Sequence, residues 1–209
     1  MNKAMRFLPR FLAAIQVLLA IGATSAGEIR EFDVKTTERL GNELVRVSKR
    51  ADRGFATPAK KHGRETAIAA VRDRLYDQVR YDYAVLDDPA GSGFLVYALA
   101  IQKKKGGITT GGHYRVTTSA DGTVAKRVDL LSQLIEQPKP AVGNSFAALV
   151  IAQVEAQHPV ETWIYTSDLY HLPIFIATMD KSFWRIANGT IHKFTKAELE
   201  KLESAGKKK

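Results

Sequence analysis

YDYAVLDDPAGSGFLVYALAI, residues 81–101, decides the fold, because its apolar side chains follow the two-residue period of β-strands after a helical segment. Residues 81–85 alternate in character and residues 94–101 form a nearly continuous apolar run. Alternation returns at residues 114–118, and Asp121-Gly122 then marks a tight hairpin turn into residues 124–128. The stretch therefore predicts an antiparallel strand meander.

Two helices are predicted before the meander. Leu40, Leu44 and Val47 recur at helical spacing, which predicts an amphipathic helix from Thr37 to about Arg50. Its apolar seam is narrow, so we expect it to pack weakly. Apolar residues recur in the same way over residues 65–80, which predicts the second helix.

The segment between the two helices has the composition of a linker. Residues 51–63 are basic and are interrupted by Gly54, Pro58 and Gly63. We therefore predict a basic N-terminal helix and linker over residues 27–64, an α+β domain over residues 65–204 and a lysine tail over residues 205–209.

The second half of the chain repeats the order of a helix followed by strands. A short helix is predicted from Asp129, and a buried helix over residues 146–157 with Ser145 as its N-cap. Strands are predicted over residues 162–167, 174–179 and 183–194, the last folded back at Asn188-Gly189. Finally, the capping box of Thr195 and Glu198 predicts a C-terminal helix ending near Gly206.

These elements predict an α+β fold with a mostly antiparallel sheet meander and helices packed on one face. The order of a helix and then strands occurs twice, so a duplicated unit is one alternative. Sequence identity between the two halves is faint.

The N-terminus has the pattern of an export signal. Lys3, Arg6 and Arg10 precede an apolar run from Phe11 to Ile21, and small residues follow at 23–26. We predict a signal peptide over residues 1–26, cleavage after Ala26, and a periplasmic or secreted mature protein. An uncleaved membrane anchor is the alternative, although the run is only about half the roughly 20 residues that a membrane crossing needs. Export without cysteine fits a bacterial periplasm.

The net positive charge is concentrated outside the predicted α+β domain. The chain carries +9, and loss of the signal peptide leaves 28 basic and 22 acidic residues. Residues 65–206 contain 15 basic and 16 acidic residues, so that part is nearly neutral and we expect no nucleic-acid partner. The basic flanks are suited either to solubility or to peripheral contact with anionic lipid or a cell-wall polymer.

HYRVTTSADGTVAKRVDLL, residues 113–131, together with the helix before it, resembles the helix-plus-hairpin pattern of PepSY-type exported bacterial domains. The resemblance covers one half of the mature chain. HPVETWIYTSDLYHLPIFIAT and WRIANGTI also resemble exported proteobacterial proteins of unassigned activity. The PepSY resemblance implies a binding or inhibitory module, and it carries over no functional residue because its pattern is structural.

Sequence motifs for catalysis are weak. Gly143-Asn144-Ser145 lacks the strand that a nucleophile elbow needs, and the five histidines show no metal-binding spacing. The glycine pairs lie between strand-like runs, where they indicate hairpin loops, and Asp87-Asp88 before a proline indicates a turn. We therefore expect neither a metal nor a cofactor.

Two functions remain open. The first is a non-catalytic binding or inhibitory module for an envelope protein, a peptide or a small ligand, with candidate contacts at Trp163, Tyr165, Asp168, Tyr170 and His171. The connection at residues 168–173 is unusually apolar for a turn, which suggests either a recognition patch or a small satellite core. The alternative function is a hydrolase or lyase that uses His171 with Asp168, Tyr170 or Glu161.

Overall fold

The computed structural model describes residues 29–103, 107–137 and 148–207. The predicted signal peptide, the nucleophile-elbow motif at 143–145 and the end of the lysine tail lie outside those residues. In the described ranges there are four α-helices: α1 Val34–Ser48, α2 Pro58–Val71, α3 Thr162–Tyr170 and α4 Lys196–Lys207. The strands are β1 Val79–Asp87, β2 Phe94–Gln102, β3 Ile108–Thr110, β4 Tyr114–Thr118, β5 Ala125–Leu130, β6 Ile135–Gln137, β7 Leu149–Gln153, β8 Ile174–Thr178, β9 Phe183–Ala187 and β10 Thr190–Lys193.

The strands form two larger sheets and one small one. The first sheet has the order β1-β2-β4-β5 and is antiparallel throughout. The second has the order β10-β9-β8-β7, in which only the β7–β8 pair is parallel. β3 and β6 form a separate antiparallel pair. The predicted α+β class with a mostly antiparallel meander is confirmed.

Helices cover both faces of the first sheet, whereas the sequence predicted helices on one face only. Along β2, Leu95, Tyr97 and Leu99 belong to the central core, which also contains α1 and the inner face of the second sheet. Phe94 and Val96 point the other way, into a smaller core under α2. The continuous apolar run of β2 reflects this two-sided burial.

The expectation that α1 packs weakly is wrong. Leu40 and Leu44 are completely buried and Val47 nearly so. Gly41 lies on the same side of the helix, where it permits close contact with α3. A narrow seam suffices here because it enters the core between the two sheets. The domain limits at residues 64 and 65 stay a prediction.

Half of the predicted linker is helical. Thr57 caps α2 by accepting a hydrogen bond from the backbone N–H of Lys60, and Pro58 occupies the first helical turn. The helix ends at Val71, so the prediction of a helix to residue 80 is also wrong at that end. A 3-10 turn at Arg72–Arg74 and the start of β1 at Val79 take those residues instead.

Three predictions in the second half are wrong. The short helix from Asp129 is the end of β5, followed by β6. The helix over 146–157 is strand β7 in its described part, and the strand over 162–167 is helix α3. Short apolar runs do not distinguish a buried helix from a buried strand, and tertiary packing overrides local propensity. The predicted N-cap Ser145 lies outside the described residues.

The predicted turn at Asn188-Gly189 and the predicted C-terminal capping box are confirmed. Asn188 and Gly189 both have positive φ, at 52° and 75°, as the two central residues of a type I′ hairpin require. The carboxylate of Glu198 accepts the backbone N–H of Thr195 at 2.7 Å, which forms the predicted capping box at α4. The second half has the order strand, helix and three strands, which differs from the first half.

Candidate functional site

Two of the five candidate residues are buried core side chains. Trp163 has no exposed surface, and its indole N–H donates to Oε1 of Gln153 at 2.5 Å. Tyr165 is 5% exposed and meets the ring of His113 edge-on, with 5.9 Å between ring centroids. Because α3 is buried on all sides over residues 162–167, the interpretation of these two aromatics as surface contacts is wrong.

Tyr170, at the end of α3, is half-buried and packs against the central core. Its hydroxyl oxygen accepts the backbone N–H of Thr109 in β3 at 3.0 Å. Burial raises the pKa of Tyr170, although that hydrogen bond opposes the shift. These contacts favour the satellite-core interpretation for this side chain.

Asp168 and His171 line an open cleft of about 570 Å³. The cleft lies between α1, the C-terminal end of α3 and the β9–β10 hairpin. Its lining combines apolar groups with polar and charged ones: Asn42, Val45, Ile164, Ser167, Asp168, His171, Leu172, Pro173, Phe175, Arg185, Ala187, Asn188 and Gly189. This volume lies within the range typical of small-molecule sites.

A Schellman motif at the end of α3 positions His171 beside the cleft. The backbone N–H of Leu172 donates to the carbonyl of Ser167, and that of His171 donates to the carbonyl of Asp168. His171 has the left-handed conformation, with φ 52°. Glycine is the usual residue at this position, and a side chain there costs about 1 kcal/mol. Residues 169–173 contain no glycine, so no sequence pattern indicated that a helix ends here.

The ionisable groups of the cleft differ in their pairing. The carboxylate of Asp168 forms an ion pair, at 2.8 Å, with Nζ of Lys49, the residue that follows α1. Arg185 of β9 is exposed, and within the described residues it has no ion-pair partner. The imidazole of His171 likewise makes no hydrogen bond to the described part of the chain. The cleft thus holds one paired carboxylate, one unpaired guanidinium and one unpaired imidazole.

The hairpin wall of the cleft is fixed to α1. The side-chain amide of Asn42 donates to the carbonyl of Gly189 at 2.7 Å and to the carbonyl of Glu38 at 2.9 Å. A Cβ on Gly189 would lie 2.3 Å from Oδ1 of Asn42. This position therefore requires glycine both for its turn geometry and for this close approach.

Glu161 lies away from the cleft, in a buried charge cluster that sequence reasoning missed. Nη1 of Arg115 donates to Glu161 at 2.7 Å, and Nη2 donates to Asp129 at 2.9 Å. The hydroxyl of Tyr97 donates to the same Glu161 oxygen at 2.9 Å. The three charged side chains are at most 3% exposed. Burial would lower the pKa of Arg115, but the carboxylates, Glu161 first, outweigh it and raise the pKa.

This charge cluster joins the first sheet to the start of α3 and does not approach His171. Glu161 precedes α3 and His171 follows it, so ten residues of helical rise put their backbones about 15 Å apart. The cluster has no opening to solvent at its charged atoms. Its chemistry is structural, because it aligns the start of α3 on the first sheet.

Two further aspartates, outside the cleft and the charge cluster, form ion pairs. Asp88 forms a bidentate ion pair with Arg30, at 2.7 and 2.8 Å, and Asp87 pairs with Lys60. In the residues that the structure covers, no three histidine and carboxylate groups converge as metal ligands. Nor does any helix in those ranges have the length and apolar character of a membrane span.

Comparisons with known proteins return nothing: no protein-family model, no curated protein and no solved structure matches this chain.

Proposed function

We propose that this protein is a non-catalytic, exported binding module whose ligand site is the cleft between α1, the end of α3 and the β9–β10 hairpin. The observation that carries the proposal is the convergence of apolar side chains with Arg185 and His171 in a volume of about 570 Å³. Among the described residues, Arg185 has no ion-pair partner and the imidazole of His171 has no hydrogen-bond partner. Pockets that combine apolar lining with a few polar groups are the usual form of small-ligand sites.

The lining supports a ligand that is partly apolar and carries a carboxylate. Val45, Leu172 and Pro173 offer apolar contact. Arg185 offers a planar guanidinium that pairs with carboxylates through two parallel hydrogen bonds. The C-terminal end of a peptide with apolar side chains has both properties, and so has a small, partly apolar carboxylic acid.

The pairing of the charged groups favours binding over hydrolysis or elimination. A general-base histidine is normally oriented by a hydrogen bond to a carboxylate. Asp168 is engaged by Lys49 at 2.8 Å, and Glu161 is sealed in the buried cluster. His171 therefore serves better as a hydrogen-bonding group for a ligand.

The export part of the proposal rests on residues 1–26 and on the PepSY-like pattern at residues 113–131. Such domains bind or inhibit partners in the cell envelope, which agrees with a binding cleft. Intact-mass measurement of the protein from a periplasmic fraction tests export. We expect a chain that begins at Gly27, and a mass that retains residues 1–26 would contradict cleavage.

Calorimetric titration with N-acetyl-leucyl-phenylalanine tests the ligand site. We expect the free acid to bind wild-type protein at least about tenfold more tightly than its C-terminal amide, a difference of about 1.4 kcal/mol. Arg185→Gln should remove this preference. The matched control Arg72→Gln removes an exposed arginine outside the cleft and should keep it.

Equal affinity for acid and amide, or no binding tighter than about 1 mM, would contradict the proposal. Turnover of the dipeptide amide that disappears in His171→Gln would contradict its non-catalytic part.

A further inference from the structure

A second cleft, of about 530 Å³, shares no lining residue with the first. It is formed by the loop after α1, the middle of α2 and the outer strand β1 of the first sheet. Its lining is aromatic and charged, with three cations, three carboxylates and the rings of Phe55, Tyr81 and Tyr83. The ligand-cleft proposal above uses none of these residues.

Arg64 lies against two aromatic rings. Its guanidinium carbon is 5.7 Å from the ring centroid of Phe55 and 6.0 Å from that of Tyr83. Contact with ring faces orients the planar guanidinium without consuming its N–H donors. Within the described residues no carboxylate pairs with Arg64. Its donors are therefore oriented and still available.

Neighbouring cations are already paired, which sets Lys61 and Arg64 apart. Arg53 pairs with Asp82 at 3.1 Å, and Arg50 pairs with Asp52 at 2.7 Å. Lys61 is exposed and has no ion-pair partner in the ranges that the structure covers. It lies three residues before Arg64, so the two share one side of α2.

The charge balance of this surface is positive. Arg80 also pairs with Asp82, at 3.1 Å. Together, the lining and these pairing neighbours contribute five cations and three carboxylates: Arg50, Arg53, Lys61, Arg64 and Arg80 against Asp52, Glu65 and Asp82. Glu65, next to Arg64 in sequence, also lines the cleft, where its carboxylate opposes the binding of an anion. Two of the three lining carboxylates, Asp52 and Asp82, are thus engaged by arginines, whereas no carboxylate of the described residues engages Lys61 or Arg64.

We propose that this second cleft binds the phosphate group of a phosphate ester, with Arg64 and Lys61 as its cationic ligands. Arg64 supplies a forked pair of donors and Lys61 a mobile point charge, a combination suited to a multiply charged anion with several acceptor oxygens. The hydroxyl of Tyr83, which makes no hydrogen bond among the described residues, is available as a further donor. The rings of Phe55 and Tyr83 provide apolar contact for the organic part of the ester.

The phosphate has two sources, a soluble ester or the headgroup of an anionic phospholipid. Both present the same oxygens to Arg64 and Lys61. Two arms of one experiment distinguish them. The first is calorimetric titration of the mature chain with glycerol 3-phosphate, and the second is cosedimentation with phosphatidylglycerol vesicles against phosphatidylcholine vesicles.

Matched variants test whether the cleft is responsible. Lys61→Gln with Arg64→Gln removes two charges from the cleft, while Arg72→Gln with Arg74→Gln removes two exposed charges from the 3-10 turn outside it. We expect the cleft variant to lose at least about tenfold in affinity for the ester or the anionic vesicles and the control variant to stay within about twofold. This tenfold loss corresponds to about 1.4 kcal/mol.

Arg64→Lys separates geometry from charge. It keeps the charge but loses the fork, so we expect several-fold weaker binding than wild type. Loss in the titration arm assigns a soluble ester, and loss in the vesicle arm alone assigns a lipid headgroup. Equal losses in the cleft and control variants, or no saturable binding in either arm at low salt, would overturn the proposal.

Discussion

Replacement of Arg115 by methionine is expected to destabilise the protein by about 3–5 kcal/mol, the range for breaking a buried ion pair. The side chain is 1% exposed and donates to both Glu161 and Asp129. After the change, Asp129 keeps a contact with Arg127 at 2.6 Å. Glu161 keeps only the hydroxyl of Tyr97, so its buried charge is left without a cation.

Urea unfolding measures this loss. Trp163 and Trp184 are both buried and report the transition by fluorescence. The matched control is Arg39→Met, which removes an arginine that is 56% exposed and lies 3.7 Å from Glu43. Such surface pairs contribute little, so we expect less than about 0.5 kcal/mol there.

A second variant separates the effect of the unpaired Glu161 charge on stability from the effect of lost packing. Arg115→Met combined with Glu161→Gln removes the unpaired carboxylate and keeps an acceptor for Tyr97. We expect it to regain at least about 1 kcal/mol relative to Arg115→Met alone. A loss for Arg115→Met no larger than that of the Arg39→Met control would refute the view that this cluster holds the start of α3 on the first sheet.

Three further predictions concern packing and titration. Gly41→Ala should destabilise the protein by about 1–3 kcal/mol, because its Cβ would lie 2.7 Å from the side chain of Ile164. Gly63→Ala should instead stabilise α2 by about 0.5–1 kcal/mol, because the nearest atoms to its Cβ would be 3.6 Å away. Thermal unfolding of the two variants compares these effects. Burial lowers the pKa of His113 to about 4 from 6.5, so this contribution to stability is complete above pH 6.5 and falls by about 3 kcal/mol as the pH decreases to 4. Urea unfolding across that pH range should show a flatter profile for His113→Gln. Tyr170→Phe leaves the N–H of Thr109 without its acceptor and should cost about 1 kcal/mol in the same assay, and an unchanged midpoint would contradict that hydrogen bond.

Local sequence signals predicted the first sheet and the hairpin turns well. The alternation at residues 81–85 and the Asn188-Gly189 turn depend on backbone geometry that neighbouring residues determine. Helix α3 had no such signal. Its aromatic and β-branched residues favour a strand, and only packing between α1 and the second sheet makes them helical.

The buried charge cluster could not be predicted for a related reason. In YRVTT, residues 114–118, Arg115 occupies a position of the alternation that normally faces solvent. The second sheet and α1 cover that face, so the arginine is buried instead. Its pairing with Asp129, directly opposite on β5, is a cross-strand signal that becomes readable once the register is known.

The candidate site was predicted in part. Asp168 and His171 do line the cleft, but Arg185 lies on a strand that the sequence marked only as a hairpin. The cleft is made by elements far apart in the chain, namely α1, α3 and the β9–β10 hairpin. No local pattern brings those elements together.

The most direct test of the ligand cleft is amide chemical-shift mapping of the mature chain during titration with N-acetyl-leucyl-phenylalanine as the free acid. We predict saturable shifts concentrated at five residues that line the cleft on α1, the end of α3 and the β9–β10 hairpin: Asn42, Asp168, His171, Arg185 and Asn188. Shifts concentrated elsewhere on the described surface, or no saturable shifts at all, would contradict it.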